Sequence, residues 1–239
     1  MKSPTVLLLL AASSALAQGT FQNLDFEEST VPQDSQTNVV SSLNAFPGWS
    51  VYVSTNQQTF VGFNNGCFGS TCVSLLGTNG DRILGYRSLE GGFSALLQGG
   101  VSGSVVLYPT AASILQTGFI PASARSILFR AGPSIPGTLS VSLGGIDIPF
   151  LALSNGPNYT VYGGDISAFA GQTALLEFSV SRLPGTASID WNIDSIEFSA
   201  STIPEPSVLR LSALGTVLLA WRFLRQTRPD LNPSPSFDS

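Results

Sequence analysis

Residues 188–198 read Ser-Ile-Asp-Trp-Asn-Ile-Asp-Ser-Ile-Glu-Phe and predict a β-strand with one buried face. Apolar side chains alternate with polar ones at Ile189, Trp191 and Ile193, and alternate residues of a strand point to opposite faces of its sheet. Between Ile193 and Ile196 the alternation changes phase, which predicts a bulge or bend at that point.

Similar short runs recur along most of the chain, separated by Gly, Pro, Asn and Ser. No window of the sequence shows a convincing apolar stripe of helical period. We therefore predict a single all-β domain over residues 18–202, an antiparallel β-sandwich whose two sheets share an apolar core. The clearer predicted strands are Phe21 to Phe26, Trp49 to Val53, Val73 to Leu76, Ser102 to Tyr108, Ser126 to Ala131, Thr138 to Leu143, Ala174 to Ser181 and Ser188 to Phe198.

Composition excludes several chemistries. Charged residues make up 10% of the 239 residues, there is no histidine, and Lys2 is the only lysine. A Ser-His-Asp triad, a Cys-His pair, a His-ligated zinc and a catalytic or phosphate-binding lysine are thereby excluded. Residues 20–200 carry 12 acidic side chains against 5 arginines, a net charge of −7, so nucleic acid is not an expected partner.

The first 17 residues have the pattern of a secretory signal peptide. Lys2 gives a positive start, residues 6–12 are apolar, and Ala15-Leu16-Ala17 forms a small-x-small cleavage site before Gln18. The alternative is an N-terminal helix of the folded domain. The pattern favours export.

The C-terminal region predicts a membrane anchor. Residues 207–224 are mostly apolar, and Arg222, Arg225 and Arg228 follow as a basic stop that should remain cytoplasmic. The body would then lie outside the cytoplasm, and residues 229–239 would form a disordered polar tail. The alternative is an amphipathic or buried helix of the globular domain.

Pro204-Glu205-Pro206, the apolar segment and the arginine cluster together resemble the PEP-CTERM sorting signal of bacterial exported proteins, over residues 203–228. The resemblance implies processing by an exosortase-type enzyme of the membrane. It also implies release of the body to the cell surface or matrix after cleavage, and an association with exopolysaccharide. Arg210 inside the apolar segment and the tail beyond the basic cluster depart from the family pattern.

Four segments of the body resemble carbohydrate-binding modules of the jelly-roll, galactose-binding type. The resemblance implies that fold for the β-sandwich and contact with carbohydrate as its function. The segments, in chain order, are Phe21 to Glu27, Ser113 to Pro121, Asp165 to Thr173 and Ile189 to Phe198.

The two cysteines, Cys67 and Cys72, are expected to form a disulfide, because an exported chain meets an oxidising environment. The alternative is a pair of free thiols. A metal site at these cysteines is not expected, since no histidine or further cysteine could complete it.

The resemblance also implies a structural Ca²⁺ that joins the first and last strands, with Asp25 or Glu27 and Asp194 as ligands. Carboxylates and backbone carbonyls are the oxygen ligands that Ca²⁺ requires. The alternative is that Asp25 and Asp194 only form hydrogen bonds with the backbone.

Sugar contact would need exposed aromatic rings with polar neighbours. Tyr159 and Tyr162, close to glycine-rich turns, are the preferred candidates, whereas Trp49 and Trp191 are expected in the core. Other aromatic candidates are Tyr52, Phe60, Phe63, Tyr86 and Tyr108.

The sequence thus predicts a non-catalytic protein of the cell envelope or matrix that contacts exopolysaccharide. One alternative is a structural surface protein without a ligand. Another is a secreted glycosidase or lyase, for which Asp190 and Asp194 could share one face of a strand.

Overall fold

A computed structural model describes residues 19–67, 69–81, 84–102, 108–132, 138–183, 185–186 and 188–203. The predicted signal peptide, the Pro204–Pro206 motif, the apolar segment 207–224, the arginine cluster and the tail lie outside the described residues. Within the described part of the chain, no helix is long and apolar enough to cross a membrane.

The described residues form an all-β body of fourteen strands. A four-residue helix, α1 (Ser42–Ala45), and a 3₁₀ turn at Ser167–Phe169 are short insertions between strands. The strands are β1 (Val39–Ser41), β2 (Ser50–Val53), β3 (Asn56–Gln57), β4 (Phe60–Phe63), β5 (Cys72–Gly77), β6 (Phe93–Ser102), β7 (Tyr108–Phe119), β8 (Ser126–Ala131), β9 (Leu139–Leu143), β10 (Ile146–Asp147), β11 (Phe150–Asn155), β12 (Thr160–Asp165), β13 (Thr173–Ser181) and β14 (Ile189–Ser199).

The strands pair into two layers. The first sheet has the order β10-β9-β13-β7-β2-β3, and the second has the order β1-β4-β5-β6-β14-β8-β12-β11. The two layers join where β6 and β7 pair with each other, through Gly100 and Thr110. The pairing is antiparallel apart from that of β4 with β5, so the predicted all-β, antiparallel body is confirmed.

The core lies between the two sheets. Phe129 of β8 in the second sheet packs edge-on against Phe178 of β13 in the first, with 5.3 Å between ring centroids. Trp191, only 2% exposed, and Trp49 are buried in the same cluster, as the sequence predicts. Burial of apolar area stabilises the body, and the preferred geometry of the aromatic pairs fixes how the two layers pack.

Strand β14 follows the sequence pattern closely. Ile189, Trp191 and Ile193 are buried in the core. The pairing with β8 then shifts register between Asp194 and Glu197, and Ser195 adopts a left-handed backbone conformation, φ 47°. The predicted bulge is therefore confirmed.

The predicted strand Phe21 to Phe26 is wrong. Asn23 and Phe26 both have positive φ, and the segment forms turns rather than a ladder. Polar contacts hold these turns, because Asn23 Oδ1 accepts the N–H of Glu28 and the Asn23 carbonyl accepts the indole N–H of Trp49. Most of the predicted strand Ser102 to Tyr108 lies outside the described residues: β6 ends at Ser102, β7 begins at Tyr108, and residues 103–107 are not described.

Cys67 and Cys72 form the predicted disulfide, with a Cα–Cα distance of 6.1 Å. The bridge closes a small loop that lies against β6, where Gln98 Oε1 accepts the N–H of Cys67.

Candidate functional site

Residues 79–81 and residues 84–89 line two cavities beside the second sheet. The first, here called the arginine cavity, has a volume of about 540 Å³. The second, here called the amide cavity, has a volume of about 350 Å³. The described residues that line the arginine cavity are Leu84, Gly85, Tyr86, Arg87, Leu89, Gly132, Asn155, Gly156, Pro157, Asn158, Tyr159, Thr160 and Asn192.

One wall of the arginine cavity is the turn between β11 and β12. The N–H of Gly156 donates to the carbonyl of Tyr159 at 2.8 Å, and Thr160 Oγ1 donates to Asn155 Oδ1 at 2.9 Å. The Tyr159 ring lies so close to Gly156 that a Cβ there would overlap Cε2 and Cζ of the ring. Glycine at this position is therefore what lets the ring lie on the turn.

Arg130 also contacts the Tyr159 ring. Its guanidinium carbon lies 5.1 Å from the centroid of the Tyr159 ring, within the range of a cation–π contact. The same guanidinium forms an ion pair with Glu90 and donates to Ser195 Oγ at 2.7 Å. Tyr159 thus contacts both a glycine turn and a paired arginine, which restricts its side-chain freedom before any ligand binds.

The opposite wall is anchored to β14. The Tyr86 hydroxyl donates to Asp190 Oδ2 at 3.0 Å, and Asn192 Nδ2 donates to the carbonyl of Arg87 at 2.8 Å. Asn158 Nδ2 also donates to the carbonyl of Leu89 at 3.4 Å, so the two walls are joined. Burial raises the pKa of Tyr86 to about 12, and the negative charge of Asp190 adds to the rise.

Tyr162, the other preferred aromatic candidate, lies elsewhere. Its ring stacks on Phe129 at 5.5 Å and meets Phe150 and Trp191 edge-on. It is half-buried against the core and lines a separate, mainly apolar cavity of about 570 Å³. Of the two tyrosines, only Tyr159 reaches the arginine cavity.

Of the three predicted cation ligands, the structure brings Glu27 close to Asp194 of β14 but not Asp25. Asp194, 1% exposed, accepts the N–H of Glu90 on Oδ2 and that of Ser195 on Oδ1. Glu27 Oε1 accepts the N–H groups of Gly92 and Phe93. Asp25 is exposed, and its Oδ1 accepts the N–H of Glu27 at 3.3 Å.

Burial raises the pKa of Asp194 to about 7. Hydrogen bonds from Ser195 and the positive charge of Arg130 lower this pKa, whereas the negative charge of Glu27 raises it further. Glu27 and Asp194 are therefore close enough to interact electrostatically, whereas Asp25 points to solvent. The described residues contain no group of three or more His, Cys, Asp or Glu side chains that could hold a metal ion.

Asp190 and Asp194 share the outer face of β14, as the sequence pattern suggests, but neither is among the described residues that line the arginine cavity. Asp190 is bonded by Tyr86, and burial raises its pKa. Among the described lining residues there is no carboxylate at all.

Sequence reasoning missed Arg87, Arg130 and Asn155. The Gly-Pro and Gly-Gly dipeptides near Tyr159 indicated a loop, but isolated arginines in a β-rich sequence follow no pattern that assigns a role. Only the packing of residues 84–89 against β14 brings Arg87 to the turn that carries Tyr159.

No protein-family model matches the chain, and no curated protein matches it either. Among solved structures, the chain is similar to TmCBM61, a carbohydrate-binding module solved in complex with β-1,4-galactotriose. The TM-score is 0.41 at 14% sequence identity, and the similarity covers 77% of this chain and 99% of that chain.

Proposed function

We propose that this chain is an exported, non-catalytic protein of the cell envelope or extracellular matrix, and that its β-sandwich, of the jelly-roll, galactose-binding type, contacts exopolysaccharide. The arginine cavity is the proposed binding site. The observation that carries the proposal is Tyr159, an aromatic ring fixed by Gly156 and Arg130 at the wall of a cavity that also contains amide side chains.

A sugar ring presents an apolar face of C–H groups and a rim of hydroxyl groups. An aromatic ring contacts the apolar face, and amide side chains exchange hydrogen bonds with the rim. Asn155 Oδ1 is engaged by Thr160, whereas Asn155 Nδ2 has no hydrogen-bond partner among the described residues. A volume of about 540 Å³ falls within the usual size of a small-ligand site.

The lining supports binding without hydrolysis. Glycoside hydrolysis requires two carboxyl groups on either side of the scissile bond. The described lining residues of the arginine cavity supply none, and Asp190 and Asp194, on the same face of β14 as the lining residue Asn192, are already engaged by Tyr86 and by the N–H of Glu90.

A structural Ca²⁺ held by Glu27 and Asp194 is part of the proposal. The fit rests on a buried carboxylate, Asp194, that lies near a second negative charge, Glu27. A hard divalent cation would supply the missing positive charge and bind carboxylate oxygens. Both carboxylates accept hydrogen bonds from residues 90–93, so the cation would stabilise the segment that continues into the arginine cavity.

We further propose that residues 1–17 direct export and that residues 203–228 anchor the body until an exosortase-type enzyme cleaves near Pro204-Glu205-Pro206. The support is the order of motif, apolar segment and arginine cluster in the sequence. The intact mass of protein recovered from the source cells tests this proposal. A mature form that retains both ends would contradict it.

The binding proposal is tested by calorimetric titration of the full chain with polysaccharide from the source cells. We expect saturable binding that Tyr159→Ala weakens by ~10-fold or more, about 1.4 kcal/mol. Tyr159→Phe should retain most of the affinity, because it keeps the ring. Tyr52→Ala, at a half-buried tyrosine of the first sheet, is the matched control and should leave binding unchanged.

A flat titration with folded protein would contradict the proposal and favour a structural surface protein without a ligand. Binding that Tyr159→Ala leaves unchanged would place the sugar site elsewhere on the body.

A further inference from the structure

The charge of the arginine cavity is opposite to that of the body around it. Residues 20–200 carry 12 acidic side chains against 5 arginines. Among the described residues that line the arginine cavity, however, the only charged side chain is Arg87. The amide cavity, on the same segment, is lined by Asp34 and Asp81 and by no described arginine.

Among the described arginines, Arg87 is the one whose guanidinium has no protein partner. Its exposed side chain forms no hydrogen bond or ion pair with any described residue. By contrast, Arg130 is paired with Glu90, and Arg125 and Arg182 donate to backbone carbonyls. A guanidinium that lines a cavity without a partner is available to a ligand.

The backbone that carries Arg87 is nevertheless fixed. Asn192 donates to the Arg87 carbonyl, and the preceding residue, Tyr86, is bonded to Asp190. Two carboxylates lie close to Arg87 in the sequence or through hydrogen bonds: Asp190 accepts the Tyr86 phenol on Oδ2 while its buried Oδ1 has no partner among the described residues, and Glu90 is paired with Arg130. Neither neutralises Arg87 in the structure.

The chemistry best matched to this arrangement is a carboxylate. The guanidinium fork can donate two parallel hydrogen bonds to one carboxylate, and such charge-assisted pairs are about twice as strong as neutral hydrogen bonds. Asn155 Nδ2 is a further unpaired donor in the same lining, and no described carboxylate there would repel an anionic ligand. The acidic remainder of the body, in turn, disfavours non-specific binding of polyanions.

We infer that the arginine cavity binds an acidic sugar unit, a uronate whose ring lies on Tyr159 and whose carboxylate pairs with Arg87. This inference rests on the proposed function, because it specifies the class of sugar that the same cavity takes.

The test compares three oligouronates with their neutral counterparts on the full chain. The probes are trisaccharides of β-1,4-mannuronate, α-1,4-galacturonate and β-1,4-glucuronate, each paired with the carboxyl-reduced trisaccharide of the same linkage. We expect at least one acidic trisaccharide to bind ~10-fold or more tightly than its reduced partner. Arg87→Gln should reduce that preference to about 2-fold or less, and Arg87→Lys should retain an intermediate preference because it keeps the charge without the fork.

Arg125→Gln is the matched control. It removes the same charge from an exposed arginine that directly precedes β8 and does not line the arginine cavity. It should leave the preference unchanged. Circular dichroism verifies that each variant is folded.

The outcomes separate the two proposals. If the reduced trisaccharides bind the unaltered chain as tightly as the acidic ones, the uronate inference is overturned and sugar binding stands. If the acidic preference persists in Arg87→Gln, the assignment of the carboxylate to Arg87 is overturned. If neither these probes nor the cell polysaccharide binds the folded chain, both proposals are overturned.

Discussion

The same stretch of chain, from Asn79 to Leu89, lines the amide cavity at its start and the arginine cavity at its end. Both cavities are rich in polar groups. In the amide cavity, Gln33 accepts the N–H of Thr78 and donates to the carbonyl of Gly92, and Asn64 accepts the N–H of Gly77. In the arginine cavity, Arg87 and the Nδ2 of Asn155 have no described partner.

Comparison of the two cavities shows that the number of polar groups in a cavity says little about ligand binding. A side chain that already satisfies backbone N–H and C=O groups stabilises the loops that carry it. An exposed side chain without a protein partner is hydrated and can exchange its water for a ligand. On this criterion the paired side chains Gln33, Asn64 and Asp81 stabilise the loops around the amide cavity, and the unpaired Arg87 supports the arginine cavity as the proposed binding site.

The largest expected effect comes from removing a structural side chain of the amide cavity. Asp81 is buried, and its carboxylate accepts the N–H groups of Gly66 and Leu84. Asp81→Ala would leave these two N–H groups without their acceptor, and we expect it to lower the free energy of unfolding by about 2–5 kcal/mol. Thermal or urea unfolding of the full chain measures this loss.

Asp34→Asn is the control, because Asp34 is exposed and lines the same cavity. It should change neither stability nor sugar affinity. If Asp81→Ala were as stable as the unaltered chain, the structural assignment of the amide cavity would be wrong.

A smaller effect on stability is expected from a change of pH, which acts on Asp194, the acceptor of the Glu90 N–H. The pKa of Asp194 is raised by burial from 3.8 to about 7, so the folded state keeps a proton that the unfolded state loses between about pH 4 and 7. Stability in EDTA should therefore fall as the pH rises through this window, and Tm should drop by several degrees. Glu27, Glu90 and Arg130 are the charged groups that surround Asp194.

Added Ca²⁺ should restore Tm above pH 7, because the proposed cation binds the ionised carboxylates of Glu27 and Asp194. Asp194→Asn removes the titrating group and should flatten the pH dependence in EDTA. A Tm that does not respond to EDTA or Ca²⁺ at pH 8 would contradict the proposed cation site.

The smallest expected effect is on sugar affinity and tests whether Gly156 positions the Tyr159 ring. A Cβ at Gly156 would overlap the Tyr159 ring, so Gly156→Ala should displace the ring from its place at the wall. We expect sugar affinity to fall by roughly 3-fold to 10-fold, with less than about 1 kcal/mol lost in stability. In the Tyr159→Ala background, Gly156→Ala should add no further loss of affinity, because the two changes act on the same contact. Additive losses would mean that Gly156 acts on binding through something other than the ring.

The sequence predicted those features that depend on local pattern. The alternation at Ile189, Trp191 and Ile193 predicted the buried face of β14, and its change of phase predicted the bulge at Ser195. The disulfide was predicted from two cysteines in a chain whose first 17 residues have the pattern of an export signal.

Features that depend on what covers a strand were missed. Strand β6 contains the unalternating run Ala-Leu-Leu, because its outer face is covered by other segments and both faces are buried. The segment from Phe21 to Phe26 alternates like a strand but forms turns held by Trp49 and by the side chain of Asn23. Arg87 could not be assigned from the sequence, since its role depends on a turn about 70 residues further along the chain.

The most direct test of the central claim is to locate the bound sugar by NMR. Backbone amide signals of the ¹⁵N-labelled full chain would be followed during titration with the tightest acidic trisaccharide. We expect saturable shifts in residues 84–89 and 155–160, and smaller or no shifts in residues 33–38 around the amide cavity. Shifts confined to the amide cavity, or to the cavity beside Tyr162, would contradict it.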